Sequence, residues 1–142
     1  MAISRPQFTT LKSKYKTQPS QIHTCSMTFP NTCAIRMSEA LVATNQQWLT
    51  SFKNSGRNVC PHGYMRGAQD LASVIRKEFG PRDLGWRHPT KAPANVAGKH
   101  GIICYMNIPG YSGQGHIDLW NGNAAVGSSY WDADTIWMWI LS

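Results

Sequence analysis

The sequence lacks several features that would assign it to a class at once. No apolar run approaches the roughly 20 residues of a membrane-spanning helix. Residues 1–16 are polar and basic with no apolar stretch behind them, so we expect no N-terminal signal peptide and synthesis in the cytoplasm. There is no internal repeat or low-complexity segment. The 142 residues, of which 42% are hydrophobic, predict one folded domain over residues 1–142.

Acidic residues are scarce. Seven Asp and Glu stand against 14 Lys and Arg, which gives a formal net charge of +7. Such a surface attracts polyanions, among which nucleic acid, a carboxylate-rich cell wall and an acidic protein are candidates. The basic residues are spread along the chain rather than clustered, which disfavours a nucleic-acid partner.

The four cysteines lack zinc-finger spacing, because no close pair is followed by a second. Cys60 and His62 are two positions apart and give a weak metal signal, which a tight loop explains equally well. Cys104 lies in an apolar run and is predicted to pack in the core. A disulfide that involves Cys25 or Cys60 is left open, since spacing does not assign the pairing.

Hydrophobic periodicity predicts helices in the first half of the chain. They cover residues 6–15, a stretch from Asn31 or Thr32 to about Phe52, and residues 66–79. Between them, residues 17–30 are predicted to form a loop. Residues 83–99, with two prolines and little periodicity, are predicted to be an extended connection.

The second half has the pattern of strands. They are predicted at 101–106, at 116–120, within 123–130, and at 136–140 as a closing strand, with a hairpin turn at Asn121-Gly122. Helices followed by an antiparallel sheet predict an α+β fold.

Cys33 stands at the predicted start of the long helix, directly after Thr32. Backbone N–H groups and the helix dipole at such a start stabilise a thiolate, the reactive form of cysteine. These groups also point toward developing negative charge, so the backbone N–H of Cys33 is the predicted oxyanion donor. The competing interpretation is a small apolar residue packed at a helix end.

His116 and Asp118 share one face of a predicted strand, and Ile117 and Leu119 share the other. If the polar face meets Cys33, His116 is the general base that later protonates the leaving amine. A solvent-facing edge surface is the competing interpretation. The other four histidines are weaker candidates, because they lie in loops, precede a proline or enter a strand.

A third residue normally fixes the tautomer of the catalytic imidazole. Asp118 is predicted for this role because it shares the His116 face, although its side chain runs parallel to the histidine. Asp132 and Asp134, on the following segment, are the alternatives. A backbone carbonyl or a hydroxyl of Ser128 or Ser129 would also serve.

Several motifs along the chain together resemble a known family. They are Arg5-Pro6-x-Phe8, Cys33-x-Ile35-Arg36-Met37-Ser38 with Ala40-Leu41, Lys99-x-Gly101-Ile102-Ile103, Gly115-His116-x-x-Leu119-Trp120-Asn121-Gly122, and residues 137–141. In this order and at these separations the chain resembles the fourth family of type VI secretion amidase effectors, toxins that bacteria inject into neighbours to cut peptidoglycan.

The resemblance implies an α+β, papain-like fold of the NlpC type, with a nucleophile helix packed on an antiparallel sheet. Cys33 matches the family nucleophile and His116 the family base. The implied reaction is hydrolysis of the γ-D-glutamyl–meso-diaminopimelate amide of peptidoglycan stem peptides, without metal or cofactor. Also implied are export by the type VI secretion apparatus, action in the periplasm of a target bacterium, and a cognate immunity protein.

The chain departs from the family at the third catalytic residue, which in the family is an aspartate a short way beyond the histidine on the next strand. Counting without gaps reaches Val126 and Gly127, and neither is acidic. Either the loop differs in length and Asp132 or Asp134 fills the role, or Asp118 has taken it.

Two other functions compete with this interpretation. The same Cys–His pair would suit cleavage of the diaminopimelate–D-alanine cross-link, or remodelling of the cell's own wall. A non-catalytic basic module would instead bind cell wall or nucleic acid through its aromatic residues. The last interpretation leaves the cysteine and the histidine without a purpose.

Overall fold

In the computed structural model, residues 3–16, Cys25, 32–111 and 113–142 are described. The helices are α1 (Phe8–Lys14), α2 (Cys33–Thr44), α3 (Gln47–Asn54) and α4 (Ala68–Phe79). The strands are β1 (Leu84–Arg87), β2 (His100–Met106), β3 (His116–Asn121) and β4 (Thr135–Ile140). The predicted helix start at Asn31 and, except for Cys25, the predicted loop over 17–30 lie outside the described residues.

The strands form one antiparallel sheet in the order β1-β4-β2-β3. The predicted α+β fold, with helices before an antiparallel sheet, is confirmed. The closing strand β4 lies inside the sheet, between β1 and β2. β3 is an edge strand, and its first residue, His116, therefore lies at the margin of the sheet.

Two predictions about the sheet were wrong. Residues 84–87, predicted to be part of an extended connection, form β1 and pair with β4. The strand predicted within 123–130 does not form, and Ala125 makes only an isolated bridge with Trp120. The physical reason lies at Gly127 and Ser128, whose backbone N–H groups donate to the side chain of Asp118 instead of to a neighbouring strand.

The predicted long helix is interrupted after Thr44. Asn45 adopts an extended conformation, and its backbone N–H closes α2 on the carbonyl of Leu41. Its side-chain oxygen then accepts a hydrogen bond from the Gln47 N–H at 3.0 Å, at the start of α3. Asn45 therefore ends α2 and begins α3, because it supplies hydrogen-bond partners to backbone groups that have none within either helix.

The helices cover one face of the sheet. Met37 and Leu41 of α2 and Leu71 of α4 are fully buried in one cluster with Ile117 and Leu119 of β3. This packing fixes the start of α2 against the edge strand. Along the described residues, no helix combines the length and the apolar character that crossing a membrane requires.

Cys104 packs in this core, as predicted. Its side chain is fully buried, and its sulfur lies 3.7 Å from the carbonyl oxygen of Ala68. Burial, with a smaller contribution from the charge of Cys33, raises the pKa of the Cys104 thiol well above its ordinary value. Cys104 is therefore an inert core thiol.

Candidate active site

Cys33 is the first residue of α2. The residue is 8% exposed, and its sulfur lies 3.9 Å from the carbonyl oxygen of Gly115, the residue before β3. Thr32 is the N-cap residue, but its side chain makes no capping hydrogen bond, because its hydroxyl accepts from Nε of Arg36 at 3.2 Å. The Thr32 side chain therefore does not cap the first-turn N–H groups, which at a helix start have no partner within the helix.

His116 is the residue that meets this thiol. Its Nε2 lies 3.0 Å from Oδ2 of Asp118, and interaction with the side chain of Cys33 is among the causes that raise its pKa. With Nε2 directed to Asp118, Nδ1 is the nitrogen available to the thiol. The structure thus brings Cys33 close to His116 and Asp118, which share the predicted polar face of β3.

The surroundings of His116 favour its protonated form. The side chain is 13% exposed, and this burial acts to lower its pKa. The hydrogen bonds to Asp118 and to Cys33, together with their negative charges, outweigh burial and raise the pKa of His116 to about 9. An imidazolium beside a thiolate is the resting form that cysteine hydrolases use.

Asp118 is fully buried and surrounded by N–H donors. Oδ2 accepts from the backbone N–H groups of Gly127 and Ser128, both at 2.9 Å, as well as from His116. Oδ1 accepts from the Leu119 N–H at 2.8 Å. All four are donors to an acceptor-only group, as a carboxylate requires. Asp118 reaches the imidazole because Nε2, the ring nitrogen farther from the backbone of His116, faces along the strand toward it.

The alternative acids lie elsewhere. Asp134 is exposed, and hydrogen bonds from Thr135 and the charge of Arg87 lower the pKa of its carboxyl group. Asp132 is exposed in a turn, and its backbone carbonyl lies 2.9 Å from Nδ1 of His88. The carboxylate that contacts His116 is that of Asp118.

Aromatic residues enclose the imidazole, which the sequence analysis did not find. Tyr105 stacks on His116 with ring centroids 6.0 Å apart, and Tyr130 meets it edge-on at 5.2 Å. Tyr111 packs in turn against Tyr130 at 5.4 Å. Tyr105 is the cross-strand partner of His116, so only the register of β2 against β3 would have identified it.

A second residue that sequence reasoning missed comes from the N-terminal segment. The hydroxyl of Tyr15 lies 3.4 Å from the carbonyl oxygen of Ile117, between the two predicted catalytic positions of β3. Burial, followed by the charges of Asp118 and Cys33, raises the pKa of Tyr15 well above its ordinary value. Tyr15 is therefore a neutral hydrogen-bond donor beneath the site.

One further group has the composition of a metal site. Cys25, Cys60 and His62 bring their ligand atoms within 4.8 Å of one another. Cys25 and Cys60 are joined in a disulfide, which answers the question that the spacing left open, and Nδ1 of His62 lies 3.6 Å from the Cys25 sulfur. In this oxidised form the two sulfurs bond to each other, and His62 packs beside them.

The fold and the site define a papain-like α+β protein, with a cysteine at a helix start facing a histidine on an antiparallel sheet. The type VI effector Tae4 from Enterobacter cloacae has a similar structure, with a TM-score of 0.73 at 22% identity over all of both chains. Tae4 in the Tae4–Tai4 complex from Salmonella Typhimurium gives 0.71 at 24% identity, covering 98% of this chain and 100% of that one. A Salmonella Tae4 bound to the immunity protein Tai4 from Enterobacter cloacae gives 0.64 at 27% identity, over 80% and 77% of the two chains.

The family model for type VI secretion system amidase effector protein 4 matches residues 29–139. The chain belongs to this family, Tae4, and the resemblance drawn from its motifs is confirmed. Its class is that of an antibacterial peptidoglycan amidase. No curated protein matches the chain by sequence.

Proposed function

We propose that this chain hydrolyses the γ-D-glutamyl–meso-diaminopimelate amide of peptidoglycan stem peptides by cysteine catalysis. The observation that carries the proposal is the position of His116: its Nε2 lies 3.0 Å from the buried Asp118 carboxylate, and the residue before it, Gly115, has its carbonyl oxygen 3.9 Å from the Cys33 sulfur. This is the connection of nucleophile, base and orienting acid that acyl transfer needs.

In the proposed mechanism the thiolate of Cys33 attacks the carbonyl carbon of the amide. The oxyanion that forms is stabilised by the backbone N–H of Cys33 at the start of α2. The imidazolium of His116 gives its proton to the leaving amine, and the acyl group remains on the sulfur as a thioester. Neutral His116 then takes a proton from water, which attacks the thioester and releases the acid.

Asp118 holds the imidazole in one orientation throughout this cycle. Its carboxylate is fixed by the backbone N–H groups of Leu119, Gly127 and Ser128, so it does not need to rearrange when the charge of His116 changes. Such preorganisation is what a buried orienting group contributes to catalysis.

Charge and family membership support the choice of substrate. Stem peptides carry carboxylates, and a protein with a net charge of +7 is attracted to them. The chain belongs to an amidase effector family of the type VI secretion system, so delivery by that apparatus into the periplasm of a target cell is part of the proposal. The whole chain, residues 1–142, acts in it as one amidase domain.

A cognate immunity protein is the proposed partner in the producing cell. Two of the similar structures hold the effector in complex with the immunity protein Tai4. An inhibitor that covers the Cys33 side of the sheet edge would protect the producer from its own toxin.

Digestion of diaminopimelate-type peptidoglycan tests the proposal. Wild type, Cys33→Ala and the matched thiol control Cys104→Ala are incubated with purified sacculi, and the fragments are separated and weighed by mass spectrometry. We expect disaccharide-dipeptides that end in D-glutamate from wild type and from Cys104→Ala, and none from Cys33→Ala. Fragments cut at the diaminopimelate–D-alanine bond would show that the scissile bond is not the proposed one. Intact muropeptides after treatment with folded wild type would overturn the proposal.

A further inference from the structure

The backbone at Gly127 and Ser128 forms a cradle for one oxygen atom of the proposed active site. Both N–H groups donate to Oδ2 of Asp118 at 2.9 Å, and the same oxygen lies 3.0 Å from Nε2 of His116. The atom that orients the imidazole is thus positioned by a turn nine and ten residues further along the chain.

Space, rather than backbone conformation, explains the glycine at position 127. Its φ is not in the left-handed range, so a side chain here would not meet the strain of that conformation. A Cβ atom at this position, however, would lie 2.7 Å from Oδ2 and 3.4 Å from Cγ of Asp118. Contacts as short as 2.7 Å require one partner to move, and Asp118 is fully buried with both oxygens bonded.

The same geometry shows what a longer side chain at position 127 would do. Within an aspartate, Cβ and Oδ are about 2.4 Å apart by standard bond lengths and angles. A Cβ at position 127 would be 2.7 Å from the present position of Oδ2. An acid built from position 127 can therefore bring its oxygen close to the point that the carboxylate of Asp118 now occupies beside His116.

We infer that positions 118 and 127 are alternative carriers of one orienting carboxylate, and that Gly127 is the positioning residue that lets Asp118 fill the place. The inference rests on the proposed function, because it concerns the acid of that same site. It goes further in assigning a role to a residue that touches neither substrate nor nucleophile. It also states which exchange of side chains the fold will accept.

A reciprocal exchange of the two side chains tests the inference. The set consists of wild type, Asp118→Ala, Gly127→Asp and the double variant Asp118→Ala/Gly127→Asp. We expect Asp118→Ala to lower kcat on the order of 10⁴-fold, as loss of an orienting acid does. Gly127→Asp alone should also lower kcat, because two carboxylates cannot share the space without steric conflict and like-charge repulsion.

The kcat of the double variant should be at least tenfold higher than that of either single variant. Its KM should be unchanged, and the alkaline limb of its pH profile should be restored. Its matched control is Asp118→Ala/Gly127→Leu, in which a side chain of similar shape offers no acceptor, and this variant should recover nothing. All rates are referred to folded protein, measured by circular dichroism and thermal unfolding.

Three results would overturn the inference while wild type remains active and dependent on Cys33. They are a double variant no more active than Asp118→Ala, equal recovery with leucine, and a Gly127→Ala variant that keeps both the kcat and the pH profile of wild type. The last variant adds only one methyl group, so it informs on the cradle even if the larger substitutions do not fold. An inactive wild type, or one that does not depend on Cys33, would instead count against the proposed function.

Discussion

Tyr105 and His116 face each other across β2 and β3, and their rings stack with centroids 6.0 Å apart and planes 21° apart. Tyr130 meets the imidazole at 66° from another direction. The ring of His116 is therefore held by aromatic contacts as well as by Asp118. Such contacts restrict rotation of the side chain, which keeps both ring nitrogens aligned with their partners.

Loss of the stacked ring should impair catalysis. Aromatic pairs contribute about 1 kcal/mol beyond burial, so we expect Tyr105→Leu to lower kcat by up to roughly tenfold. Tyr105→Phe keeps the ring and should keep kcat. Because the buried Tyr105 hydroxyl has no hydrogen-bond partner among the described residues, Tyr105→Phe should also raise the unfolding free energy by about 1 kcal/mol. Steady-state kinetics and urea unfolding measure both effects, and an equal loss of kcat in the two variants would contradict the stacking argument.

The activity should fall at alkaline pH. The leaving amine needs a proton from His116, whose pKa is raised to about 9, so the rate should hold through neutral pH and decline as pH rises past that value. Asp118→Asn removes a charge that contributes to the raised pKa and should move this decline to lower pH. The measurement is kcat/KM against pH. Asp134→Asn is the control, since its exposed carboxylate interacts with Arg87, and it should leave the profile unchanged.

The hydroxyl of Tyr15 should stabilise the part of β3 that carries His116 and Asp118. Tyr15→Phe removes the donor to the Ile117 carbonyl, so we expect a loss of about 1 kcal/mol in unfolding free energy. A several-fold decrease in kcat should accompany it, because Asp118 is the next residue along β3. Tyr64→Phe, at a half-buried tyrosine beside the disulfide, is the matched control and should keep kcat. A decrease in stability without any change in kcat would make Tyr15 a purely structural residue.

The disulfide should stabilise the fold without taking part in catalysis. It joins Cys25 to Cys60 across a sequence separation of 35, for which loop-closure entropy gives about 4 kcal/mol. Reductant should lower the unfolding free energy of wild type, measured by urea unfolding, by about this amount. It should leave the stability of a Cys25→Ser/Cys60→Ser variant unchanged. Both proteins should retain hydrolysis while folded, since Cys33 takes no part in the disulfide. A reduced protein as stable as the oxidised one would refute this assignment.

Local signals predicted the elements that carry the site. The start of β3 at His116 follows from alternation, and the end of α4 before Gly80 follows from the preference for glycine after a helix, where the structure gives Gly80 a φ of +89°. Thr32 does precede α2 as the N-cap residue, although its side chain makes no capping hydrogen bond. Because these signals act over a few residues, they can be read without knowledge of the tertiary structure.

The remaining features depend on contacts between distant parts of the chain. β1 is a strand only because β4 lies beside it, and Tyr15 is close to the site only because α1 packs on α2. The segment after Gly122 resembled a strand, but the N–H groups of Gly127 and Ser128 donate to the side chain of Asp118. The sequence offered three acids as partners of His116, and only the folded chain distinguishes the one that contacts it.

Cys33 belongs to the helical layer and His116 to the sheet, so neither layer alone contains a complete site. Their meeting depends on the apolar packing between α2 and β3, which forms only when the two layers dock. A local opening that separates α2 from β3 would therefore abolish activity, although most backbone hydrogen bonds would persist. Assembly of the proposed site is therefore coupled to the docking of the helical layer on the sheet.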